Sequence, residues 1–199
     1  LNHTNQWGHS QNNAFTGAVT LNTTGSSGHA SIDNGTTALN IAASSVGGNL
    51  TLTSGHASGI TDSGTVTVGG NLAATTDANS GVINLGTLAV DGTVALTTNG
   101  SGSATVVNDA GLNFAESTVR GNLIATATTG NMEDSGVLTI AGTSSFTTSA
   151  NNADITLNNT NAFTGAVALN TTGLTGHATV VDASVLNLGA STVGGNLSA

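Results

Sequence analysis

The sequence has almost no positive charge. Of its 199 residues only Arg120 is Lys or Arg, against ten Asp and Glu, which gives a formal charge of −9. Nucleic acids and anionic membrane surfaces are bound by clusters of Lys and Arg that neutralise phosphate. The composition therefore argues against both kinds of partner.

Cysteine and proline are absent, and long apolar runs are missing as well. Without cysteine the chain can form neither disulfides nor thiolate metal sites. A membrane helix needs about 20 consecutive apolar residues, and no run approaches that length, so we expect no membrane insertion.

Charged residues make up 6% of the chain and aromatic residues 3%, so the charged outer faces of ordinary surface helices are not available. What is present is Thr, Ser, Asn and 28 Gly, together with 37% hydrophobic residues. Thr and Val favour strands, whereas Gly and Asn favour turns. The composition predicts an all-β protein with many tight corners.

A pentapeptide of the form apolar-x-Gly-x-apolar recurs along the chain. It is written FTGAV at 15–19 and 163–167, VGGNL at 46–50, 68–72 and 193–197, VDGTV at 90–94, VRGNL at 119–123 and, in degenerate form, IAGTS at 140–144. Its central glycines are Gly17, Gly48, Gly70, Gly92, Gly121, Gly142, Gly165 and Gly195. The intervals between them are, in order, 31, 22, 22, 29, 21, 23 and 30. This rhythm indicates a larger unit, about 73 residues long, that holds three shorter ones.

Apolar residues between these pentapeptides alternate with small or polar ones, as in Leu50 and Leu52 or Val66 and Val68. This period of two is typical of strands with one buried face. A repeat of this length, made of short strands and corners, is one rung of a β-solenoid, in which stacking closes a continuous core. We expect a right-handed parallel β-helix of about eight rungs of roughly 22–30 residues, with a three-rung higher-order repeat.

Within this fold, residues 1–12 are predicted to be an atypical N-terminal segment or variant rung, and residues 13–199 a continuous array excerpted from a longer chain or fibre. The longer glycine intervals are expected to carry protruding loops around 22–29, 97–102 and 170–177. The central glycines are predicted to mark corners or close backbone approaches. The asparagines that follow them are predicted to stack; these are Asn49, Asn71, Asn122 and Asn196.

The chain offers little for catalysis, cofactors or metals. Glu133 and Asp134 are the only adjacent carboxylates, and Asp134 aligns with Asp62 in the repeat, so a corner role is expected rather than acid–base chemistry. Pectin-cleaving β-helices also need cations beside their carboxylates, and Arg120 stands alone. We therefore predict no enzymatic activity, no catalytic residue and no cofactor.

Metal binding is also not expected. His29 and His177 are two large units apart, about six rungs, and no carboxylate accompanies His3 and His9. All five histidines, His56 included, are expected to lie in surface turns. The pairs Asp62/Asp134 and Asp109/Asp182 are each predicted to lie about three rungs, ~14 Å, apart, which is too far to share a calcium ion.

Three longer phrases, STVGGNL, ITDSGTVTVGGNL and ITLNNTNAFTGAV, resemble repeats of large secreted bacterial adhesins. These are the filamentous haemagglutinin-like proteins and related extracellular β-strand-repeat proteins, and the resemblance runs from about Asn13 onward. It implies a right-handed β-helical shaft, export across the outer membrane and a role at the cell surface or in a matrix. The partners it implies are other copies or a continuation of the chain, and surface glycans or proteins of host or neighbouring cells.

The resulting hypothesis is a structural extracellular fibre or adhesin shaft that supports attachment, cell–cell contact or a biofilm. Two alternatives remain. An ice-binding solenoid would need a regular Thr-x-Thr face, but the Thr pairs at 51–53 and 65–67 are not expected to keep one register, because Ala125 or Ser198 stands at equivalent positions. A carbohydrate-binding or carbohydrate-cleaving β-helix would need a groove with clustered carboxylates and aromatic residues.

Overall fold

The computed structural model describes residues 13–199, in which twenty strands and no helix are found, and therefore no helix that could cross a membrane. The prediction for residues 1–12 lies outside the described residues. In chain order the strands are β1 (Ala30–Asp33), β2 (Leu39–Ile41), β3 (Ser44–Val46), β4 (Leu50–Ser54), β5 (Ile60–Asp62), β6 (Val66–Val68), β7 (Leu72–Asn79), β8 (Ile83–Val90), β9 (Thr93–Asn99), β10 (Ala104–Asn108), β11 (Leu112–Phe114), β12 (Ser117–Val119), β13 (Leu123–Ala127), β14 (Met132–Asp134), β15 (Leu138–Ile140), β16 (Ser144–Asn151), β17 (Ile155–Phe163), β18 (Val167–Thr172), β19 (Ala178–Asp182) and β20 (Leu197–Ser198).

These strands form two parallel sheets, one of eleven strands and one of nine. The chain passes from one sheet to the other and back in every turn, and each strand pairs with the equivalent strand one turn later. This is a parallel β-solenoid of about eight turns, so the predicted fold class is confirmed. At about 4.8 Å per rung the stack is roughly 38 Å long. Its right-handedness stays a prediction.

Each turn consists of a straight half, which is one strand, and a bent half, which is two short strands separated by a few residues. In the first part of the chain the nine-stranded sheet contains the bent halves, such as β2 with β3 and β5 with β6. In the second part the eleven-stranded sheet contains them, as β11 with β12 and β14 with β15. The bent halves pass from the nine-stranded to the eleven-stranded sheet at one place in the stack. There β8 pairs with β10, and β9 pairs with both β11 and β12. We call this junction the switch.

The rungs are more even in length than the glycine intervals suggested. Residues paired across neighbouring turns are between 19 (Ala104 and Leu123) and 23 (Ile60 and Ile83) positions apart. The expectation that the longer intervals carry protruding loops is wrong. Each long interval is about one and a half turns, and it moves the pentapeptide from the edge of one sheet to the edge of the other.

The larger unit therefore contains seven half-turns. The segment ASIDN begins at Ala30 in the eleven-stranded sheet, its counterpart ATVVN begins at Ala104 in the nine-stranded sheet, and ATVVD begins at Ala178 in the eleven-stranded sheet again. Successive units are thus offset by half a turn. The two units between His29 and His177 span seven rungs, about 34 Å, rather than six.

The core lies between the two sheets and consists of inward-facing residues at every second strand position. Leu50, Leu72 and Val94 are paired in one column and are each at most 1% exposed. Phe146 lies at the centre of the later rungs, with its ring centroid 6.3 Å from that of Phe114 and 5.9 Å from that of Phe163, both in edge-on geometry. Burial of such columns supplies most of the stabilisation that a rung can offer.

Candidate functional site

The repeated pentapeptides lie at two corners of the solenoid. The first corner leads from the nine-stranded to the eleven-stranded sheet and contains Gly48, Gly70, Gly92 and Gly195. The second corner leads back and contains Gly17, Gly121, Gly142 and Gly165. The predicted corner glycines therefore form two groups on opposite edges of the stack.

At the first corner the glycines are hydrogen bonded to one another. Gly48 N–H donates to the carbonyl of Gly28 (3.0 Å), Gly70 N–H to that of Gly48 (3.1 Å) and Gly92 N–H to that of Gly70 (3.1 Å). At the second corner Gly142 N–H donates to the carbonyl of Gly121 over 2.9 Å. The backbones of successive rungs thus approach directly at the corners.

None of the eight central glycines has a positive φ, so turn conformation does not require glycine there. Close approach accounts for seven of them, and the exception is Gly17, where an added Cβ would meet no described atom within 4 Å. A Cβ on Gly165 would lie 2.3 Å from the carbonyl oxygen of Gly142, and a Cβ on Gly92 would lie 2.5 Å from that of Gly70. Real Cβ atoms essentially never come within 3.0 Å of a heavy atom outside their own residue and its two chain neighbours. Side chains at these two positions would push neighbouring rungs apart.

The four predicted asparagines are brought together only in part. Asn71 N–H donates to Asn49 Oδ1 over 3.0 Å, and Thr93 N–H donates to Asn71 Oδ1 over 2.9 Å, so these two are consecutive members of one ladder at the first corner. Asn122 lies at the second corner, where its Oδ1 accepts from Thr143 N–H. Asn196 is at the first corner, but it lies in the last rung.

Two histidines take the place of asparagine in this ladder. The Nδ1 atom of His29 accepts a hydrogen bond from Asn49 N–H, and that of His177 accepts one from Asn196 N–H, both over 2.8 Å. An imidazole that accepts at Nδ1 carries its proton on Nε2. These histidines are therefore structural members of the corner ladder, and no group of three potential metal ligands occurs among the described residues.

One Asn or Asp side chain in each large unit satisfies backbone groups where the next rung has no strand. Asn108 is 1% exposed; its Oδ1 accepts from Val90 N–H over 2.8 Å, and its Nδ2 donates to the carbonyls of Val90 (3.0 Å) and Gly111 (2.7 Å). Asn34 and Asp182 occupy the equivalent positions, with Asn34 accepting from Phe15 N–H and Asp182 from Phe163 N–H. In each case a side-chain oxygen accepts a hydrogen bond from a backbone N–H at the end of a bent half-turn, where the next rung has no strand to pair with it.

A serine performs a second task at the same junctions. Ser117 Oγ accepts from Leu96 N–H (3.1 Å) and donates to the Ala115 carbonyl (2.9 Å), where a straight strand meets a bent one. Ser44 and Ser191 do the same in the neighbouring units, accepting from the N–H groups of Leu21 and Leu169. The hydroxyl thus satisfies a backbone donor that the bend leaves without a carbonyl.

The two carboxylates that aligned in the sequence have equivalent structural tasks. Asp62 accepts from the N–H groups of Gly86 (3.0 Å) and Thr87 (2.7 Å) in the bend of the next rung. Asp134, 7% exposed, accepts from Asn158 N–H over 2.9 Å in the same way. They lie in different sheets, because the half-turn offset makes their separation three and a half turns rather than the three that were expected.

Sequence reasoning missed the Asn and Ser positions and paired Asp182 with Asp109. The structure shows that Asn108, one residue earlier, is the equivalent of Asp182. The signal was the set ASIDN, ATVVN and ATVVD, in which the last residue is always Asn or Asp.

A shallow groove of roughly 320 Å³ lies beside the switch. Its lining includes Asp91, Asn113, Asn131 and Glu133, and it contains no aromatic residue and no cation. The only Lys or Arg of the chain, Arg120, is exposed at the second corner, where its backbone N–H donates to Thr98 Oγ1. The groove therefore has carboxylates but no cationic side chain, and binding of an acidic sugar requires such a cation.

Threonines form one outward column on the eleven-stranded sheet. Thr53, Thr75, Thr97, Thr118 and Thr139 are paired in succession over five rungs. The neighbouring outward column contains Thr51, Ala73 and Ala95, so a Thr-x-Thr pair occurs in only one of these rungs. The register of these threonines is more regular than the sequence predicted, but the column is only one residue wide.

Neither the curated proteins nor the solved structures contain a match to this chain. One family model, described as repeats of unknown function (DUF5649), matches residues 27–85 and 101–170. The gap between the two matched stretches contains the end of β8 and all of β9, at the switch, and together the stretches cover more than half of the chain. The chain therefore belongs to the family of DUF5649 repeats.

Proposed function

We propose that this chain is a section of a stiff structural rod that works outside a bacterial cell as an adhesin shaft or matrix fibre. The observation that carries the proposal is the unbroken parallel pairing from β1 to β20, reinforced at the corners by direct hydrogen bonds between rungs. A column with such bonds in every rung resists bending and local opening, because each opening exposes both core and backbone.

Composition supports the proposed location. The sequence contains no cysteine and one Lys or Arg, and its phrases resemble repeats of secreted bacterial adhesins. Carboxylates lie mostly in corners and bends, whereas the outward positions of straight strands such as β4 and β13 are uncharged. Partners on this proposal are further copies of the repeat and the surface glycans or proteins of other cells.

The proposal is tested by displaying the chain on a bacterium that lacks adhesins and measuring cell–cell cohesion and attachment to surfaces. The control is the double variant Gly142→Val, Gly165→Val, which leaves the composition almost unchanged and disrupts the stacking. Cohesion with the native chain and its loss in the variant would support a shaft or matrix role. Equal cohesion with both chains, or none with either, would overturn it.

A second candidate, ice binding, is favoured by the five-rung Thr column, because regularly spaced hydroxyls can order water. The neighbouring Ala73 and Ala95 weigh against it. The test is thermal hysteresis of the purified chain, with Thr97→Lys as the control in the middle of the column. Hysteresis that this variant abolishes would favour ice binding, and a chain without hysteresis would eliminate it.

A further inference from the structure

Asparagine followed by glycine is the pair at which a backbone nitrogen most readily attacks a side-chain amide, because glycine has no Cβ to hinder the approach. The chain contains two such pairs, Asn34-Gly35 and Asn99-Gly100, and one Asp-Gly pair, Asp91-Gly92. Sequence alone ranks the two Asn-Gly pairs equally. The structure separates them.

The first pair is held on both sides of the bond that would form. Asn34 is 0% exposed, and Gly35 N–H donates to Asp33 Oδ1 over 2.9 Å. The side-chain amide of Asn34 makes four hydrogen bonds with backbone groups, which are the N–H of Phe15 (2.8 Å) and the carbonyls of Phe15 (3.1 Å), Thr37 (3.2 Å) and Ala38 (2.8 Å). Reaction here therefore requires local opening of the rung.

The Asp-Gly pair is held by the stacking of the first corner. Gly92 N–H donates to the carbonyl of Gly70 over 3.1 Å, and Asp91 N–H donates to that of Val68 over 3.0 Å. The nitrogen that would attack is thus engaged between rungs. A carboxylate is also a weaker electrophile than an amide.

The second Asn-Gly pair lies in the exposed turn between β9 and β10, at the second corner. Gly100 has a φ of 61°, in the left-handed region that favours glycine. Within the described part of the chain the Asn99 side chain makes one hydrogen bond, from Nδ2 to the Thr76 carbonyl (3.1 Å), and no group accepts from Gly100 N–H. Both reacting groups are accessible without opening of the rung.

The equivalent turns show that this position does not require asparagine. They are TTGSSG at 23–28 and TTGLTG at 171–176, against TNGSG at 98–102. Gly25, Gly100 and Gly173 all have positive φ, and the residue before the glycine is threonine in the other two turns. Threonine has no amide carbon that a backbone nitrogen could attack.

We propose that Asn99 is a site of spontaneous self-modification, at which the side-chain amide is converted through a cyclic imide to aspartate or isoaspartate. The Gly100 nitrogen bonds to Cγ of Asn99 while the Cγ–Nδ2 bond breaks, and Nδ2 leaves as ammonia with the proton that Gly100 N–H gave up. Water then adds to one imide carbonyl and breaks its bond to the Gly100 nitrogen. Cleavage at Cγ gives aspartate, cleavage at the main-chain carbonyl carbon gives isoaspartate, and nothing is oxidised or reduced.

The modification changes contacts between rungs beside the switch. Either product lacks Nδ2 and so loses the hydrogen bond to the Thr76 carbonyl. The Asn99 carbonyl accepts from the N–H groups of Ser80 (3.0 Å) and Gly102 (2.9 Å), and isoaspartate takes this carbonyl out of the main chain and adds a methylene there. We expect both N–H groups to exchange faster after the reaction. This inference goes beyond the proposed rod function and does not depend on it.

The test is incubation of the full 199-residue chain in oxygen-18 water at mildly alkaline pH, followed by mass spectrometry of peptic peptides, since a single Arg makes tryptic peptides too long. Label enters only where an imide is hydrolysed. In the folded chain we expect at least tenfold faster labelling at Asn99 than at Asn34, whose buried hydrogen bonds must first break. In urea the two sites should react at similar rates.

Equal labelling of Asn99 and Asn34 in the folded chain would overturn the proposal, as would labelling of Asn99 more than tenfold slower in the folded chain than in urea. The control variant Asn99→Thr has the residue of the equivalent turns. It should give the native circular dichroism spectrum and no label within residues 97–102, and label there would show that the site is wrongly assigned.

The variant Asn99→Asp supplies one product without lengthening the main chain. Hydrogen exchange at Ser80 and Gly102 should be faster in the incubated native chain than in this variant. Equal exchange in the two proteins would refute the structural effect assigned to isoaspartate.

Discussion

The identical pentapeptides FTGAV at 15–19 and 163–167 provide a sharp test of why the corners contain glycine. At Gly165 an added Cβ would meet the Gly142 carbonyl oxygen at 2.3 Å and the Thr143 nitrogen at 2.8 Å. At Gly17 it would meet no described atom within 4 Å. Neither glycine has a positive φ, so Ala is conformationally acceptable at both.

The same substitution should therefore have opposite consequences. Relief of the Gly165→Ala contact requires two backbone segments to separate by about 1 Å within a hydrogen-bonded stack. Overpacking of this kind typically costs about 1–3 kcal/mol, and we expect about 3 kcal/mol because the obstacle is backbone. For Gly17→Ala we expect a change within about 0.5 kcal/mol, or a slight gain from the stiffer unfolded chain.

The assay is urea unfolding followed by circular dichroism, combined with hydrogen exchange of the segment around 140–170. With a slope of about 1–3 kcal/mol per molar urea, a loss of 3 kcal/mol lowers the midpoint by at least about 1 M. Exchange should rise in the rungs on either side of Gly165. Equal midpoints for the two variants would refute the argument that close approach, rather than turn conformation, selects glycine at the corners.

Three further results are expected. Asn108→Ala should cost about 2–3 kcal/mol in unfolding free energy, because it removes two buried hydrogen bonds and one part-buried hydrogen bond of about 1 kcal/mol each. Asn40→Ala, which removes a buried and unpartnered Oδ1, should be near neutral in the same urea titration. His177→Asn should keep the protection of the Asn196 amide from hydrogen exchange and His177→Ala should lose it; equal exchange in both would contradict the ladder. Phe146→Ala should cost about 3–5 kcal/mol by urea unfolding, and a loss below 1 kcal/mol would show that its two ring contacts are not optimally packed.

The sequence predicted the fold class because both of its signals are local and repeated. Alternation such as Leu50 and Leu52 places one face of a strand inward, and the pentapeptide marks a corner that recurs. These two signals suffice for a parallel solenoid with an aliphatic core. The equivalence of Asp62 and Asp134 also followed from their alignment, whereas their hydrogen bonds to the bend of the next rung came from the structure.

The half-turn offset could not be obtained in the same way. Glycine intervals count positions along the chain, and a long interval fits a rung with a loop as well as a rung and a half. The residues that decide between these readings are Asn108 and Ser117, whose side chains satisfy backbone groups left uncovered at the switch. Their roles depend on contacts with the rung before them, which a single repeat does not reveal.

An odd number of half-turns in each unit governs how such a protein can change its length. Deletion or duplication of one large unit would rotate everything beyond it by half a turn about the solenoid axis, so a surface feature on that part would face the opposite way. Gain or loss of two units together restores the original heading. A change of two units therefore alters the length of the solenoid and keeps the orientation of the part beyond the change. A change of one unit alters both the length and the orientation.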